Sequence, residues 1–439
     1  MNHKLYPHFL QMFFLGADVM RLISKIAIIL FLMSPIIRYY EIPGTNIELL
    51  SLVGIVNLLI FLLIVIQRNS NISKSISIFI LFFVWGIITT LISLISHEFV
   101  TLDSAKINNY IFTIINFLSL FFMIIIISFY KDAYKQYRKI SIILICALFL
   151  QVLLFYGFSY ALDLKIPGLK LINHYEVAFK NLEIRLAYGT EPRFTSFFSE
   201  PAHFVQYITP FLIVELFVMK TRNLKNLIPS FLISLSILLT LSGNGIVILL
   251  FIWSIYIILL LFTEKKPIIV FFIVTIVILL AVLSIIYFDS YLDISSLFIN
   301  SDGDPTKADY RIYRGFYIFV NLPFWNQLFG TGYRNATNFI AFYNISTPFD
   351  NPGENIEYMN AITQVMVYFG LVGFFTYIIL LFKLFNKQSI VSKILVLVLL
   401  LLSFSSSLFS DSMFFIYVFM IFYFQSKINT YSNNCEVIK

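Results

Sequence analysis

The chain has 439 residues, 59% of them hydrophobic and only 12% charged, against the ~25% charged of an ordinary soluble domain, a balance that excludes a soluble enzyme and selects a polytopic membrane protein. The net charge of +7 is an orientation signal and not a nucleic-acid footprint, because no basic stripe with interleaved aromatics stands on a soluble domain. Cys146 falls inside an apolar run and Cys435 in the C-terminal tail, and His3, His8, His97 and His174 form no spaced set, so neither a disulfide framework nor a metal site is expected, and no cofactor.

The first twenty residues carry His3, Lys4 and Asp18 among aromatics instead of a short apolar core with a cleavage site. The first span is therefore expected to be retained, preceded by an interfacial helix over 9–20. Apolar runs near the ~20 residues a helix needs to cross hydrocarbon predict spans at 22–39, 47–66, 76–95, 108–129, 139–160, 203–219, 226–241, 244–262, 267–287, 358–382, 391–408 and 411–426. The expected fold is all-α: a single integral membrane domain, 1–439, of about twelve transmembrane helices. Ser242-Gly243-Asn244-Gly245 and Ser410-Asp411 mark tight hairpins. With both termini cytoplasmic, most of the 30 Lys/Arg fall in inner segments and most of the 23 acids in outer ones, as the positive-inside rule requires.

Two connections exceed ~15 residues, the length beyond which loops are usually functional or disordered: 161–202 and 288–357, both on the outer side. In the first, Pro201 suits the first turn of the sixth span and puts Glu200 at its N-cap. Glu200 and His203, three apart, share a helix face, and Arg193 precedes them. Two readings stand open there: a cap with a local Arg–Glu pair, or Arg193 as an anion ligand with Glu200 or His203 as proton acceptor. Glu215, an acid within the span, either pairs with Lys220 or a neighbouring helix or joins the site.

In the second loop, Asp309 to Tyr317 reads as an amphipathic helix with Arg311 and Arg314 on one face, either a phosphate clamp or an interfacial helix with snorkelling arginines. Downstream, in Leu328-Phe329-Gly330-Thr331-Gly332-Tyr333-Arg334, the two glycines either let backbone amides approach an anion beside Arg334 or make a turn. Asp302-Gly303-Asp304 lacks further hard ligands and reads as a solvated turn.

Three segments carry a family likeness: Arg193 to His203 at the start of a span, Arg311-x-x-Arg314 running to Phe329-Gly330-x-Gly332-Tyr333, and Asn360-Ala361-Ile362-Thr363-Gln364 running to Tyr368-Phe369-Gly370-Leu371-Val372-Gly373. In these the chain resembles the O-antigen polymerase and ligase superfamily. The resemblance implies a bacterial inner-membrane glycosyltransferase. Such an enzyme polymerises undecaprenyl pyrophosphate-linked oligosaccharide repeat units into O-antigen or capsular polysaccharide at the periplasmic face, with inversion at the anomeric carbon. It implies Arg193, Arg311, Arg314, Tyr333 and Arg334 as substrate-binding residues and a base drawn from Glu200, His203 and Asp309. The implied partners are membrane lipids and, in the same pathway, a chain-length regulator and a flippase.

Physical chemistry agrees with this reading. No nucleotide sugar exists outside the inner membrane, so a donor there brings its own leaving group. Arginines stabilise a departing pyrophosphate without metal. Two rival functions are defined by sequence. Ligases of the superfamily carry His-x10-Gly, and Met359 stands where that histidine would precede Gly370. A flippase or exporter would show a cationic cavity through the spans and an internal repeat; charges within the spans are sparse and no repeat is present.

Overall fold

The computed structural model describes residues 17–45, 48–67, 74–96, 114–115, 118–121, 124, 132–176, 178–188, 192–218, 227–263, 307–333, 335–346, 359–386 and 389–432. Helices dominate. In chain order they are α1 (Ala17–Ile37), α2 (Leu49–Gln67), α3 (Lys74–Ser96), α4 (Ala133–Phe158), the short α5 (Asn173–Glu176) and α6 (Asn181–Ala187), α7 (Pro201–Phe217), α8 (Ile228–Leu239), α9 (Gly243–Thr263), α10 (Lys307–Asn321), α11 (Phe324–Phe329), α12 (Ala336–Phe342), α13 (Ala361–Phe385), α14 (Ile390–Ser405) and α15 (Ser412–Ser432). Most of the expected apolar runs contain one of these helices, with ends displaced by a few residues. The run at 267–287, most of 108–129, most of the interfacial helix at 9–20 and Asp302-Gly303-Asp304 lie outside the described residues.

Among the described residues three helices are long and apolar enough to cross a membrane: α4, Gly243–Leu261 of α9, and α13. Shorter apolar helices, including Leu22–Ile37, Ile390–Ser405 and Ser412–Gln425, pack beside them. A helix apolar on every face belongs in the centre of such an assembly, and α7 is that helix. It is buried from Phe204 to Leu216 and packs against α4, α8, α9, α14 and α15. Pro210 sits inside it and removes one backbone donor. Nearby, the Tyr137 hydroxyl of α4 donates to the Tyr207 carbonyl, and the Tyr207 hydroxyl donates to the Leu32 carbonyl of α1 at 3.0 Å. In hydrocarbon every such group needs a protein partner.

A two-stranded antiparallel ribbon fastens the first long connection to the bundle. β1 (Tyr40–Glu41) pairs with β2 (Lys170–Leu171), Tyr40 opposite Leu171, and Lys170 forms an ion pair with Glu41. The end of the same connection is anchored on α4. The Gln151 amide oxygen accepts from the Ser196 N–H at 2.8 Å, its nitrogen donates to the Leu162 carbonyl at 2.9 Å, and the Ser196 hydroxyl donates to the Leu144 carbonyl at 2.9 Å.

α13 is broken in the middle. Gly370 has φ 66°, ψ −172°, which interrupts the ladder and strips the preceding carbonyls of their partners. Three donors from elsewhere replace them: Thr331 N–H to Val367 O at 2.9 Å, Gly332 N–H to Tyr368 O at 2.9 Å, and the Trp85 indole N–H to Phe369 O at 3.0 Å. The approach is close enough that a Cβ on Gly330 would lie 2.2 Å from the Tyr368 carbonyl oxygen. On the other side α3 holds the same loop, its Thr90 hydroxyl accepting from the Tyr333 N–H at 2.9 Å and its Ser93 hydroxyl from the Asn335 amide at 2.7 Å.

Candidate active site

The segment before α7 is folded into the protein and is not a loose loop. Phe194 and Phe198 are buried, and Ser196 takes φ 54° to turn the chain back over α4. Glu200 then occupies the N-cap with extended backbone (φ −135°, ψ 145°), and Pro201 opens the helix, its missing N–H being one the first turn leaves unused. The Glu200 side chain makes no capping hydrogen bond and is exposed. Arg193 is half-buried, and among the described residues it forms no ion pair with Glu200. Neither half of the capping expectation is therefore realised by side chains.

One turn into α7, His203 meets residues from both ends of the chain. Its Nδ1 lies 2.9 Å from the Tyr39 hydroxyl and its Nε2 3.4 Å from Arg38 Nη2. Arg38 forms an ion pair with Asp411, whose Oδ2 is 3.8 Å from His203 Nε2. Arg38 and Tyr39 follow the last turn of α1, and Asp411 lies between a 3-10 turn (Leu408–Ser410) and the first residue of α15. The other oxygen of Asp411 accepts from the Met413 N–H at 3.1 Å and from the Ser412 hydroxyl at 3.2 Å, capping α15.

The second long connection reaches the same end of the bundle. α10 packs on α13 and α14, and Gly315 makes the close contact: a Cβ there would meet Thr363 Oγ1 at 2.1 Å and Met359 Cβ at 3.1 Å. Beside it Arg314 is completely buried. Asn360 caps α13 by accepting from the Thr363 N–H at 2.8 Å, and the Ala361 N–H donates to the Ser406 carbonyl at 2.8 Å. Arg314, the start of α13, the end of α14 and Asp411 thus share one end of the helices with Glu200 and His203.

Asp309 and Arg311 fall in the first turns of α10, with side chains outside the described set, and Arg334 lies outside the described residues. Tyr333 is buried against the rings of Tyr368 and Phe369. The two glycines do bring backbone amides to oxygen, but the oxygen belongs to α13. The N–H groups of Gly330, Thr331, Gly332 and Tyr333 are all spent on protein acceptors, Asn326 O, Val367 O, Tyr368 O and Thr90 Oγ1. Of the two readings of this loop, an amide cradle for an anion or a turn, the amides' protein partners speak against the cradle. Glu215 also finds its partner on a neighbouring helix, with Arg138 Nε of α4 3.2 Å from its Oε1.

Arg38, Tyr39 and Asp411 were not singled out from sequence. The only signal they offered was position, two polar residues flanking an apolar run and one acid in a tight hairpin. Neither a curated protein nor a solved structure matches the chain significantly. Residues 228–378, from α8 into the second half of α13 and including Arg314, Met359 and Gly370, match the family model described as O-antigen ligase. That match covers about a third of the chain and supports the O-antigen polymerase/ligase superfamily, whose members act on lipid-linked glycans, without separating polymerase from ligase.

Proposed function

We propose that this protein is a Wzy-type polymerase. It extends lipid pyrophosphate-linked oligosaccharide at the outer face of a bacterial inner membrane, where the 161–202 and 288–357 connections lie. The observation that carries the reading is the coincidence, at one end of the bundle, of an exposed carboxylate at the N-cap of α7 with a fully buried arginine inside the matched region. In the proposed reaction the acceptor sugar hydroxyl attacks the anomeric carbon of the donor. The bond to the pyrophosphate oxygen breaks, and the pyrophosphate leaves on its polyprenyl carrier. Glu200 takes the hydroxyl proton, and it is favoured over His203 because both ring nitrogens of His203 already face protein groups. Arg314, with Arg193 and the arginines at 311 and 334, compensates the charge that develops on the leaving group.

Transfer of a finished glycan to a lipid acceptor is the second reading, favoured by the description of the matching family. Against it, the place of the ligase histidine is taken by Met359, buried at the α10–α13 contact, which offers no proton-transfer group. Purified protein given only a lipid pyrophosphate-linked repeat unit, without nucleotide sugar, tests the choice. A ladder of products growing by one repeat is expected. No ladder, together with transfer to an added lipid A core acceptor, would overturn the polymerase in favour of the ligase.

A further inference from the structure

An arginine side chain carries five N–H donors and no acceptor. Arg38 Nη2 at 3.4 Å from His203 Nε2 therefore fits only an Nε2 whose lone pair is bare. The single proton of a neutral imidazole must then sit on Nδ1, where the Tyr39 hydroxyl at 2.9 Å accepts it. An imidazolium would set N–H against N–H, and Asp411 Oδ2, at 3.8 Å from Nε2, is beyond hydrogen-bond length and already holds Arg38. Among the described residues, the ring meets Arg38 and Tyr39 from the end of α1, with Tyr175 packed behind Tyr39, and Asp411 from the start of α15.

His203 stands one turn after Glu200, on the helix that Glu200 begins. One phenol thus holds the imidazole that follows Glu200, and Arg38 and Asp411 face its other ring nitrogen. An N-cap residue with no capping bond of its own has no internal restraint on where its carboxylate points.

We propose that Arg38, Tyr39 and Asp411 are positioning residues that lock His203 as the neutral Nδ1–H tautomer and thereby set the place of Glu200. The second half of this inference rests on the role given to Glu200 above; the tautomer lock stands without it.

The test uses full-length protein in lipid nanodiscs with 15N-labelled histidine. The chain has five histidines, and His203→Gln identifies the signal by its loss. At about neutral pH the His203 ring shows a protonated Nδ1 and a bare Nε2, and in Arg38→Met/Asp411→Asn, which removes the donor facing Nε2 without leaving the carboxylate unpaired, that preference is lost. In the extension assay Tyr39→Phe and Asp411→Asn lower kcat per folded molecule on the order of 10- to 100-fold, with KM changed less than about twofold, as expected for misplacing a reacting group. An Nε2–H tautomer or an imidazolium in the wild type overturns the lock. Wild-type kcat in both variants overturns the positioning role, as does a loss confined to protein abundance. A wild type that shows the Nδ1–H signal yet extends no lipid-linked glycan overturns the proposed function and supports the lock.

Discussion

The two ends of α7 solve the same problem differently. At one end Glu215, 3% exposed, is neutralised by a single arginine on the adjacent helix, with the Tyr134 hydroxyl facing the same oxygen. Arg138 is 44% exposed, but its Nε sits on the buried carboxylate. About 18 Å away along the helix, His203 is held by three groups from two places near opposite ends of the chain, all of them mostly buried. The first arrangement is local and replaceable, a buried acid with one long-armed counterion. The second is pinned from several directions, at higher cost in desolvation, and such over-determination is worthwhile where geometry must be held.

If that contrast is functional, the two ends respond oppositely to substitution. The largest effect is expected at Glu200. Glu200→Gln should lower extension of the lipid-linked glycan by roughly 10²- to 10⁴-fold, the usual cost of losing general-base assistance, at unchanged membrane abundance. Glu200→Asn should not restore it, since the native side chain makes no cap for a shorter one to replace. Full polymer from Glu200→Asn would reduce this end of α7 to a structural start.

Arg314→Lys comes next. It keeps the charge but loses the planar fork, and a charge-assisted hydrogen bond is worth about 1.5–3 kcal/mol, so turnover should fall roughly 10- to 100-fold while the protein still inserts. Unchanged turnover would move the anion site away from α10. The smallest effect on chemistry belongs to the Glu215 end. Arg138→Met should lower abundance, because it leaves Glu215 buried without its counterion, and Arg138→Met/Glu215→Gln should recover it. Turnover per folded molecule should match wild type in both, and a matching loss of turnover would erase the distinction between the two ends.

The helical framework was legible because apolar runs and their breaks are local properties. The start of α7 was legible for the same reason, since Glu200-Pro201 announces an N-cap and a first turn without reference to any other part of the chain. The ion pair of Glu215 was half legible: an acid inside a span needs a counterion, but which helix supplies it is set by packing. Arg38 and Asp411 were invisible as a pair, being near opposite termini, and a charge count for topology treats each only as a flank. Gly330 and Gly332 were read either as bringing backbone amides to an anion or as a turn, and the amides instead meet oxygens of the protein itself. What they approach depends on a helix break at Gly370, a conformation that no residue between the two segments encodes.

The break in α13 also has a direction in time. Its replacement donors are Trp85, Thr331 and Gly332, and every one of them lies N-terminal to Val367. A membrane protein made from its N-terminus therefore has the splint synthesised before the fracture it supports. When residues 367–370 arrive, the carbonyls that a continuous helix would satisfy by itself meet donors already made, so the interruption need not spend its assembly exposed to lipid. The same interruption placed early in the chain, with its donors downstream, would have to wait unsatisfied for them.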